Sequence, residues 1–277
     1  MKTINYAITS NENYTKFQNI NIIYLKSRIH DMGNDLNNFS NAGENITVQN
    51  SSWTFKGISK EFEEHIKNSV PLYQYAHGLV ESLSDFFIGT NAKVLDIGCS
   101  TGNLLSSISN RQKHIKDIDF YFIDEVDDMI NYAKKRITRN TSHKYHFICN
   151  NICDYDLPKD VDIVISMFTI QFISPSIRQE IINRIYQSLV WGGAFFFFEK
   201  INGEDARFHE ILMQNYEDYK IANGYSINEI KTKQLSLRSV LKPFSEKGNI
   251  DLLKRSGFVD IQPIFQYGLF KGLLAIK

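Results

Sequence analysis

The chain has 277 residues, a length that fits one large α/β domain or two domains of about 150 residues each. Hydrophobic residues make up 43% and charged residues 22% of the chain, values near the globular average that exclude wholesale disorder. Basic and acidic residues number 31 each, so the chain has no overall basic field to hold a nucleic-acid backbone. The three cysteines cannot build a disulfide framework and include no CxxC pair, so no metal site is expected.

The first 52 residues differ in composition and hydrophobic pattern from the rest of the chain. Residues 1–52 are rich in asparagine and show no long periodic pattern apart from a short apolar cluster at Ile20–Leu25. We interpret residues 1–52 as an irregular N-terminal arm or partial lid, and a disordered tail is the alternative. No basic start followed by an apolar stretch opens the chain, so no signal peptide is expected. From Trp53 onward the pattern is that of a packed domain.

Helices and strands alternate through that domain. Two helical patterns, over Phe55–Ile66 and Tyr75–Phe87, precede the first strand. Five apolar strands then alternate with helical segments and are predicted at Lys93–Ile97, Phe120–Ile123, His146–Cys149, Val161–Phe168 and Ala194–Glu199. Further helical stretches are predicted at Asp127–Arg136, Ser176–Val190, Asp205–Ala222, Asn228–Val240 and Ile250–Arg255, with two last strands at Val259–Gln266 and Leu269–Ile276. This alternation indicates right-handed crossovers and a parallel sheet.

Two details of this pattern carry structural predictions. The helix after the fourth strand is expected to stop at Trp191, Gly192 and Gly193. The strand that follows reads AFFFFE over Ala194–Glu199 and has no polar alternation, so both of its faces should be covered.

The loop after the first strand carries the clearest chemical signal. Asp96 lies two residues before Gly98, and Gly102 closes the loop just before a helix. Glycine lets a ligand approach the backbone closely, and the start of the helix offers unpaired N–H groups. Neither the phosphate loop GxxxxGK[ST] nor the dinucleotide fingerprint GxGxxG is present. The pattern D-x-G-x-x-x-G resembles the cofactor loop of class I S-adenosylmethionine-dependent methyltransferases.

The resemblance implies a Rossmann-like α/β fold, with a seven-stranded, mostly parallel sheet flanked by helices and preceded by an N-terminal extension. It places the Asp96 carboxylate near the ammonium group of the cofactor. Asp124 ends the second strand, where this fold has the acid that accepts from both ribose hydroxyls, and Glu125 follows it. Asn151 and Ile152 follow the third strand, where an amide and an apolar side chain usually meet the adenine.

A closer resemblance extends from about Trp53 to the end of the chain. The longer motifs that carry it are Ser69–Tyr73, Phe168–Phe172, Arg184–Gln187, Phe198–Lys200, Glu204–Ala206 and Ala222–Ser226. They look like those of the carboxy-S-adenosylmethionine synthases, the CmoA family. Those enzymes share the methyltransferase fold, but the methyl carbon of their S-adenosylmethionine captures a carboxylate from prephenate, and the product serves modification of the tRNA wobble uridine. The cofactor contacts of the family fall on Tyr73, Gly98, Cys99, Ser100, Asp124, Asn151 and Ile152.

Two positions depart from that family. Met167 stands where the family has an asparagine, and Gln234 stands where it has the arginine that holds the extra carboxylate of the carboxylated cofactor. An amide cannot replace the charge of a guanidinium, so its loss should weaken the carboxylate contact by about tenfold to a hundredfold. Lys231, Lys233 or Arg238 could supply the missing cation if the local register differs.

Three functions remain open from the sequence. The departures favour a methyltransferase that uses plain S-adenosylmethionine, yields S-adenosylhomocysteine and acts on a small-molecule acceptor. A carboxy-S-adenosylmethionine synthase with a relocated cation is the alternative, and a non-catalytic nucleotide-binding partner is the third possibility. A general base is required only for a nucleophile of high pKa, and Glu199 and His209 are the candidates, although Glu199 could equally orient a neighbour and His209 could lie on the surface.

The same observations lead to expectations about the domain, the oligomeric state, the location and the partners of the protein. Residues 53–277 are expected to form one S-adenosylmethionine-binding, methyltransferase-like domain. We expect a cytoplasmic homodimer, as the family resemblance implies, since two-fold dimers are the commonest homo-oligomers. No direct contact with nucleic acid or with a membrane is expected.

Overall fold

The computed structural model describes residues 62–137 and 142–277. The predicted arm at 1–52, and the start of the helical pattern at Phe55, lie outside these residues. No helix in the described part of the chain is both long enough and apolar enough to cross a membrane.

Seven strands form one mixed sheet in the order β3-β2-β1-β4-β5-β7-β6. The strands are β1 (Lys93–Ile97), β2 (Asp119–Asp124), β3 (Lys144–Cys149), β4 (Val161–Met167), β5 (Leu189–Lys200), β6 (Asp260–Tyr267) and β7 (Phe270–Ile276). The first five strands pair in parallel, and β7 lies antiparallel between β5 and β6. The predicted seven-stranded, mostly parallel sheet is therefore confirmed.

Helices cover both faces of this sheet. They are α1 (Phe62–Ser69), α2 (Tyr73–Leu83), α3 (Asn103–Arg111), α4 (Asp127–Arg136), α5 (Pro175–Ser188), α6 (Ala206–Ala222), α7 (Ile227–Leu237) and α8 (Glu246–Ser256), with 3-10 turns at Ser84–Phe86 and Ile170–Phe172. Local chemistry fixes several helix starts. The Ser226 hydroxyl accepts from the backbone N–H of Glu229, and the Glu229 side chain accepts from the backbone N–H of Ser226, so a capping box begins α7.

The phenylalanine run of β5 connects the two halves of the core. Phe196 and Phe198 pack in the apolar layer that contains α2, α3 and α4, whereas Phe195 and Phe197 pack in the layer that contains α5 and α8. All four side chains are almost fully buried. Burying one phenylalanine contributes about 1.5–3 kcal/mol, so this strand stabilises both layers. The predicted cover on both faces of the strand is confirmed.

The start of β5 differs from its prediction. The helix α5 ends at Ser188, and β5 begins at Leu189 rather than at Ala194. The strand continues through the two glycines because Gly192 adopts a φ of +80°, and the backbone of both pairs with the end of the chain. The Gly192 N–H donates to the Lys277 carbonyl at 2.8 Å, and the Lys277 N–H donates to the Gly193 carbonyl at 3.0 Å.

The sheet also positions the chemistry. The last residues of the five parallel strands are Ile97, Asp124, Cys149, Met167 and Lys200. Because these strands are parallel, all five residues lie at one edge of the sheet, where ligands bind in folds of this class. The ends of β2 and β5 are three strand spacings of about 4.8 Å apart, so Asp124 and Lys200 are separated by about 14 Å along this edge.

Candidate functional site

A cavity of about 920 Å³ opens at the carboxyl ends of the parallel strands. This volume lies near the upper end of the range for small-molecule sites. Among the predicted site residues, those that line it are Tyr73, Asp96, Gly98, Cys99, Ser100, Asp124, Glu125, Asn151, Ile152, Met167, His209 and Gln234. Glu199 does not belong to this lining, and its position is described below.

The loop after β1 forms the floor of the cavity. Gly98 and Gly102 adopt φ values of +73° and +70°, a region that favours glycine. A Cβ atom on Gly98 would lie 2.2 Å from the Thr169 Oγ1, and a Cβ atom on Gly102 would lie 2.8 Å from the Ala133 Cβ. Backbone conformation and close packing therefore both require glycine at these two positions.

Asp124 holds this loop from the end of β2. Its Oδ2 accepts from the backbone N–H of Ser100, and its Oδ1 accepts from the backbone N–H of Val126, both at 2.9 Å. Each carboxylate oxygen has further lone pairs that can accept from a ligand hydroxyl. Burial raises the pKa of Asp124, and the two backbone N–H donors oppose that rise.

Asp96 is the most strongly perturbed acid of the loop. Its side chain is 4% exposed, and burial, assisted by the charge of Asp124, raises its pKa to about 8. An ammonium group placed beside Asp96 would favour the carboxylate form and offset this cost.

The turn after β3 contributes a polar pair. The Asn151 Nδ2 donates to the Glu125 Oε2 at 2.8 Å, and the Asn151 Oδ1 accepts from the backbone N–H of Cys153 at 2.9 Å. These contacts fix the amide and the carboxylate relative to each other. Ile152, which follows Asn151 in sequence, is buried and lines the cavity.

These groups fit S-adenosylmethionine. Asp96 is a buried acid whose charge an α-ammonium group would balance, and Asp124 retains acceptor capacity for a ribose diol. The Gly98 position leaves backbone exposed to the cavity, where a side chain would not fit. The residues present therefore suit the cofactor that the loop pattern predicts.

Aromatic side chains form the wall beyond β4. Phe168 adopts a φ of +59°, an uncommon conformation for a bulky residue that places strain at the cavity wall. Its ring lies 6.4 Å from the ring of Tyr73 and 5.8 Å from the ring of Phe270. Met167 precedes it and also lines the cavity.

Lys200, Lys220 and Lys233 are among the lysines that line the cavity. Lys200 ends β5, Lys220 lies on α6, and Lys233 lies on α7. The Nζ atoms of Lys200 and Lys220 lie 4.7 Å and 4.4 Å from the ring centre of Tyr216. Burial and the neighbouring lysine charges lower the pKa of Lys200 to about 8 and the pKa of Lys233 to about 7, while the nearby Glu217 carboxylate opposes the shift of Lys200.

A buried polar network connects Lys233 to α1. The Lys233 Nζ lies 2.6 Å from the His65 Nε2 and donates to the Ser69 Oγ at 3.1 Å. The Tyr225 hydroxyl lies 3.0 Å from the His65 Nδ1 and 2.9 Å from the Ser69 Oγ. The Tyr216 hydroxyl donates to the Ser69 carbonyl at 2.8 Å. The position of the Lys233 ammonium group is therefore fixed by several partners.

Gln234 points to a different partner. Gln234 lines the cavity, and its Nε2 donates to the Glu217 Oε1, so an acid holds this neutral amide in place. Of the three cations that could replace the arginine of the family, Lys233 and Arg238 line the cavity, and Lys231 is exposed on α7 outside the lining.

The two candidate bases occupy different places. Glu199 is buried near the end of β5, and its Oε1 has no hydrogen-bond partner among the described residues. Burial raises the pKa of Glu199, and the charge of Arg178 opposes the rise. His209 lines the cavity, and its Nδ1 accepts from the backbone N–H of Gly203 at 3.2 Å.

The sequence analysis named Lys233 but missed Lys200, Lys220 and the network around His65. Lys200 ends the family motif Phe198–Lys200, and Lys220 lies two residues before the motif Ala222–Ser226. This proximity to family motifs was the only signal in the sequence that could have identified the two lysines as site residues. Their burial depends on how α6 and α7 pack over the strand ends, which no local pattern specifies.

The chain is similar to known proteins over most of its length. The methyltransferase domain model matches residues 94–193. The chain is 37% identical to the carboxy-S-adenosyl-L-methionine synthase of Staphylococcus epidermidis over 227 residues, which are 81% of this chain and 97% of that protein. It is 34% identical to the enzyme of the same name from Campylobacter lari over 220 residues, 79% of this chain and 92% of that protein.

A solved structure supports the fold. Human N-acetylserotonin methyltransferase in complex with S-adenosylmethionine is similar with a TM-score of 0.54 and 17% identity over 80% of this chain, which spans 56% of that protein. The protein is an S-adenosylmethionine-dependent transferase. Its similarity to both bacterial enzymes over nearly their whole length shows that the chain belongs to the carboxy-S-adenosyl-L-methionine synthase family.

Proposed function

We propose that this protein is a carboxy-S-adenosyl-L-methionine synthase, which adds one CO2 unit to the methyl carbon of S-adenosylmethionine. The observation that carries the proposal is the charge pattern of the cavity. Carboxyl groups from Asp96 and Asp124 line the end near β1 and β2, and three lysines line the end near β5. A carboxylated product and a carboxylate-bearing donor both suit a cavity with one cationic end.

The residues of this chain would divide the work as follows. Asp96 would pair with the ammonium group of the cofactor, and Asp124 would accept from its ribose hydroxyls while holding the loop. S-adenosylmethionine would supply a methyl carbon whose protons are made acidic by the adjacent sulfonium. Loss of one proton would let this carbon bond to the CO2 that leaves prephenate, while prephenate also loses hydroxide and becomes aromatic, and the hydroxide takes up the proton as water. The aromatic wall of Tyr73 and Phe168 would exclude water from this carbon, and the lysines would orient the donor.

The experiment uses the purified full-length protein with S-adenosylmethionine and prephenate, the donor that the family resemblance implies. Mass spectrometry of the nucleoside should show a product heavier by one CO2 unit. Ligand released from freshly purified protein should have the same mass. Formation of S-adenosylhomocysteine with an added acceptor, and no heavier product, would contradict the proposal.

A methyltransferase that acts on a small-molecule acceptor is the second candidate. The observation that favours it is the contact between Gln234 and Glu217, because an acid beside this position disfavours a carboxylated ligand. The same mass analysis separates the two candidates, since methyl transfer leaves S-adenosylhomocysteine as the nucleoside product.

We also propose that the protein acts as a cytoplasmic homodimer. Exposed apolar side chains on α6 and α7 support an interface there, namely Phe208, Ile211, Ile227 and Leu235. Light scattering of the eluted protein should give twice the 32.1 kDa mass of one chain, and a monomer would contradict the proposal.

A further inference from the structure

Helix α1 lies along the cavity from one end to the other. Six of its eight residues line the cavity. Near the start of α1, the Glu63 side chain contacts the loop after β1, and at its end Ser69 contacts Tyr216 on α6 and Tyr225 before α7. Eight residues of helix extend about 12 Å, close to the distance of about 14 Å between the ends of β2 and β5. A nucleoside bound at the ends of β1, β2 and β3 would therefore lie against the start of α1.

The contacts of Glu63 fasten the start of α1. Its Oε1 accepts from the Thr101 Oγ1 at 2.8 Å and from the Arg136 Nη2. Arg136 ends α4, and its Nη1 donates to the Asn103 Oδ1 at 2.8 Å. Thr101 and Asn103 stand on either side of Gly102 in the loop after β1. The four side chains therefore join α1 to α4 and to the loop that receives the nucleoside, and we name the pair of Glu63 and Arg136 the latch.

Apolar contacts place the latch beside the acid that would bind the ribose. Phe62 and Ile66 of α1 pack against Val126 and Met129, and all four side chains line the cavity. Val126 is the residue whose backbone N–H donates to Asp124. Movement of the start of α1 would therefore uncover the part of the cavity that receives the ribose.

Two features allow the start of α1 to move without unfolding of the domain. The side chains of Arg136 and Glu63 are 22% and 27% exposed, and water screens an ion pair that is exposed to this degree. The link from α1 to α2 contains Leu72, whose φ of +55° is a strained conformation for a residue other than glycine. Opening of α1 would release this strain, so the closed position depends on contacts such as the latch.

We propose that the latch controls exchange of the nucleoside: Glu63 and Arg136 hold α1 over the bound S-adenosylmethionine, and the nucleoside enters and leaves when their contact opens. Both are positioning residues, because they act through α1 and the loop after β1 and not on the reacting atoms. The inference goes beyond the proposed function, because it applies to any reaction of S-adenosylmethionine in this cavity.

A latch has a kinetic signature that an ordinary ligand contact lacks. A contact that only stabilises the bound nucleoside slows its dissociation, so loss of that contact weakens the affinity by the same factor. A latch limits the fraction of time for which the cavity is open. Its loss therefore increases both the association and the dissociation rate constants and changes their ratio little.

Surface plasmon resonance with the immobilised full-length protein and S-adenosylhomocysteine measures both rate constants. Glu63→Gln keeps an oxygen that can accept from Thr101 but removes the ion pair, and Arg136→Met removes the same pair from the other side. Each variant should increase both rate constants at least about threefold and change the dissociation constant less than about twofold. The double variant should behave like a single variant, because the two substitutions remove one contact.

The ion pair between Asp85 and Arg111 provides the matched control. It also joins an acid to an arginine at the end of a helix, but neither residue lines the cavity. Asp85→Asn should therefore leave both rate constants unchanged.

Three results would overturn the latch. They are a faster dissociation alone with an equal loss of affinity, rate constants that do not change in Glu63→Gln and Arg136→Met, and additive effects in the double variant. The mass of the nucleoside product tests the proposed synthase separately, so either proposal can fail while the other holds.

Discussion

Asp96 makes the binding of S-adenosylhomocysteine sensitive to pH. Burial and the Asp124 charge raise the pKa of Asp96 to about 8, so the empty site holds this carboxyl mainly protonated at neutral pH. An ammonium group binds only to the ionised form, and the Asp96 proton must leave first. The dissociation constant should therefore increase about tenfold, or about 1.4 kcal/mol, for each pH unit below about 7.

Isothermal calorimetry between about pH 5.5 and pH 7 measures this slope, in a range where the ligand ammonium stays protonated. The matched ligand is 5′-methylthioadenosine, which keeps the ribose and adenine but lacks the amino-acid part. The affinity for 5′-methylthioadenosine should show only the smaller pH dependence that comes from Asp124, whose pKa is also raised by burial.

The variant Asp96→Asn provides the second control. It should bind S-adenosylhomocysteine weakly and lose the slope, because a neutral amide does not titrate. Its unfolding temperature at neutral pH should be higher than that of the wild type. A carboxyl with a raised pKa destabilises the fold as the pH rises above its unfolded value, and the amide removes that cost. A pH-independent affinity in the wild type, or an unchanged slope in Asp96→Asn, would refute the reasoning.

Other predictions concern the remaining parts of the site. Asp124→Ala should weaken S-adenosylhomocysteine binding at least about tenfold by calorimetry, because the loss affects both the ribose acceptors and the loop; unchanged affinity would contradict the ribose assignment. Gln234→Arg should shift the ligand preference about tenfold toward carboxy-S-adenosylmethionine in competition binding, and more so when combined with Glu217→Gln, which removes the competing acid. A chain lacking residues 1–52 should keep its cofactor affinity and lose turnover if these residues form a lid, whereas full activity would show that they do not.

The regular part of the fold could be predicted from sequence because each element carries its own periodicity. The strand Lys93–Ile97 and the helix Asp127–Arg136 have the predicted bounds. The predicted start of β5 was wrong because two glycines inside a strand look, in sequence, like the end of a helix. Their role in the strand depends on pairing with Lys277, at the far end of the chain.

The cofactor half of the site could likewise be predicted from sequence, since Asp96, Gly98 and Asp124 lie beside strand ends that a local pattern identifies. The lysine half could not be predicted, apart from Lys233. Burial of Lys220 depends on how α6 packs in the folded domain, which no local pattern specifies, so in sequence Lys220 resembles an ordinary surface lysine. Only three-dimensional packing shows that it lies beside the same tyrosine ring as Lys200.

The two ends of the cavity come from different stretches of the polypeptide. Cofactor-side residues lie between Asp96 and Ile152, whereas Lys220, Lys233 and the helices that present them belong to the connection between β5 and β6. Such a connection can change in length and sequence without disturbing the pairing of the strands that it joins. Under the proposed function, recombination of this single segment among relatives would exchange the second substrate while the nucleoside site is inherited intact, a modular route by which one scaffold can acquire new reactions.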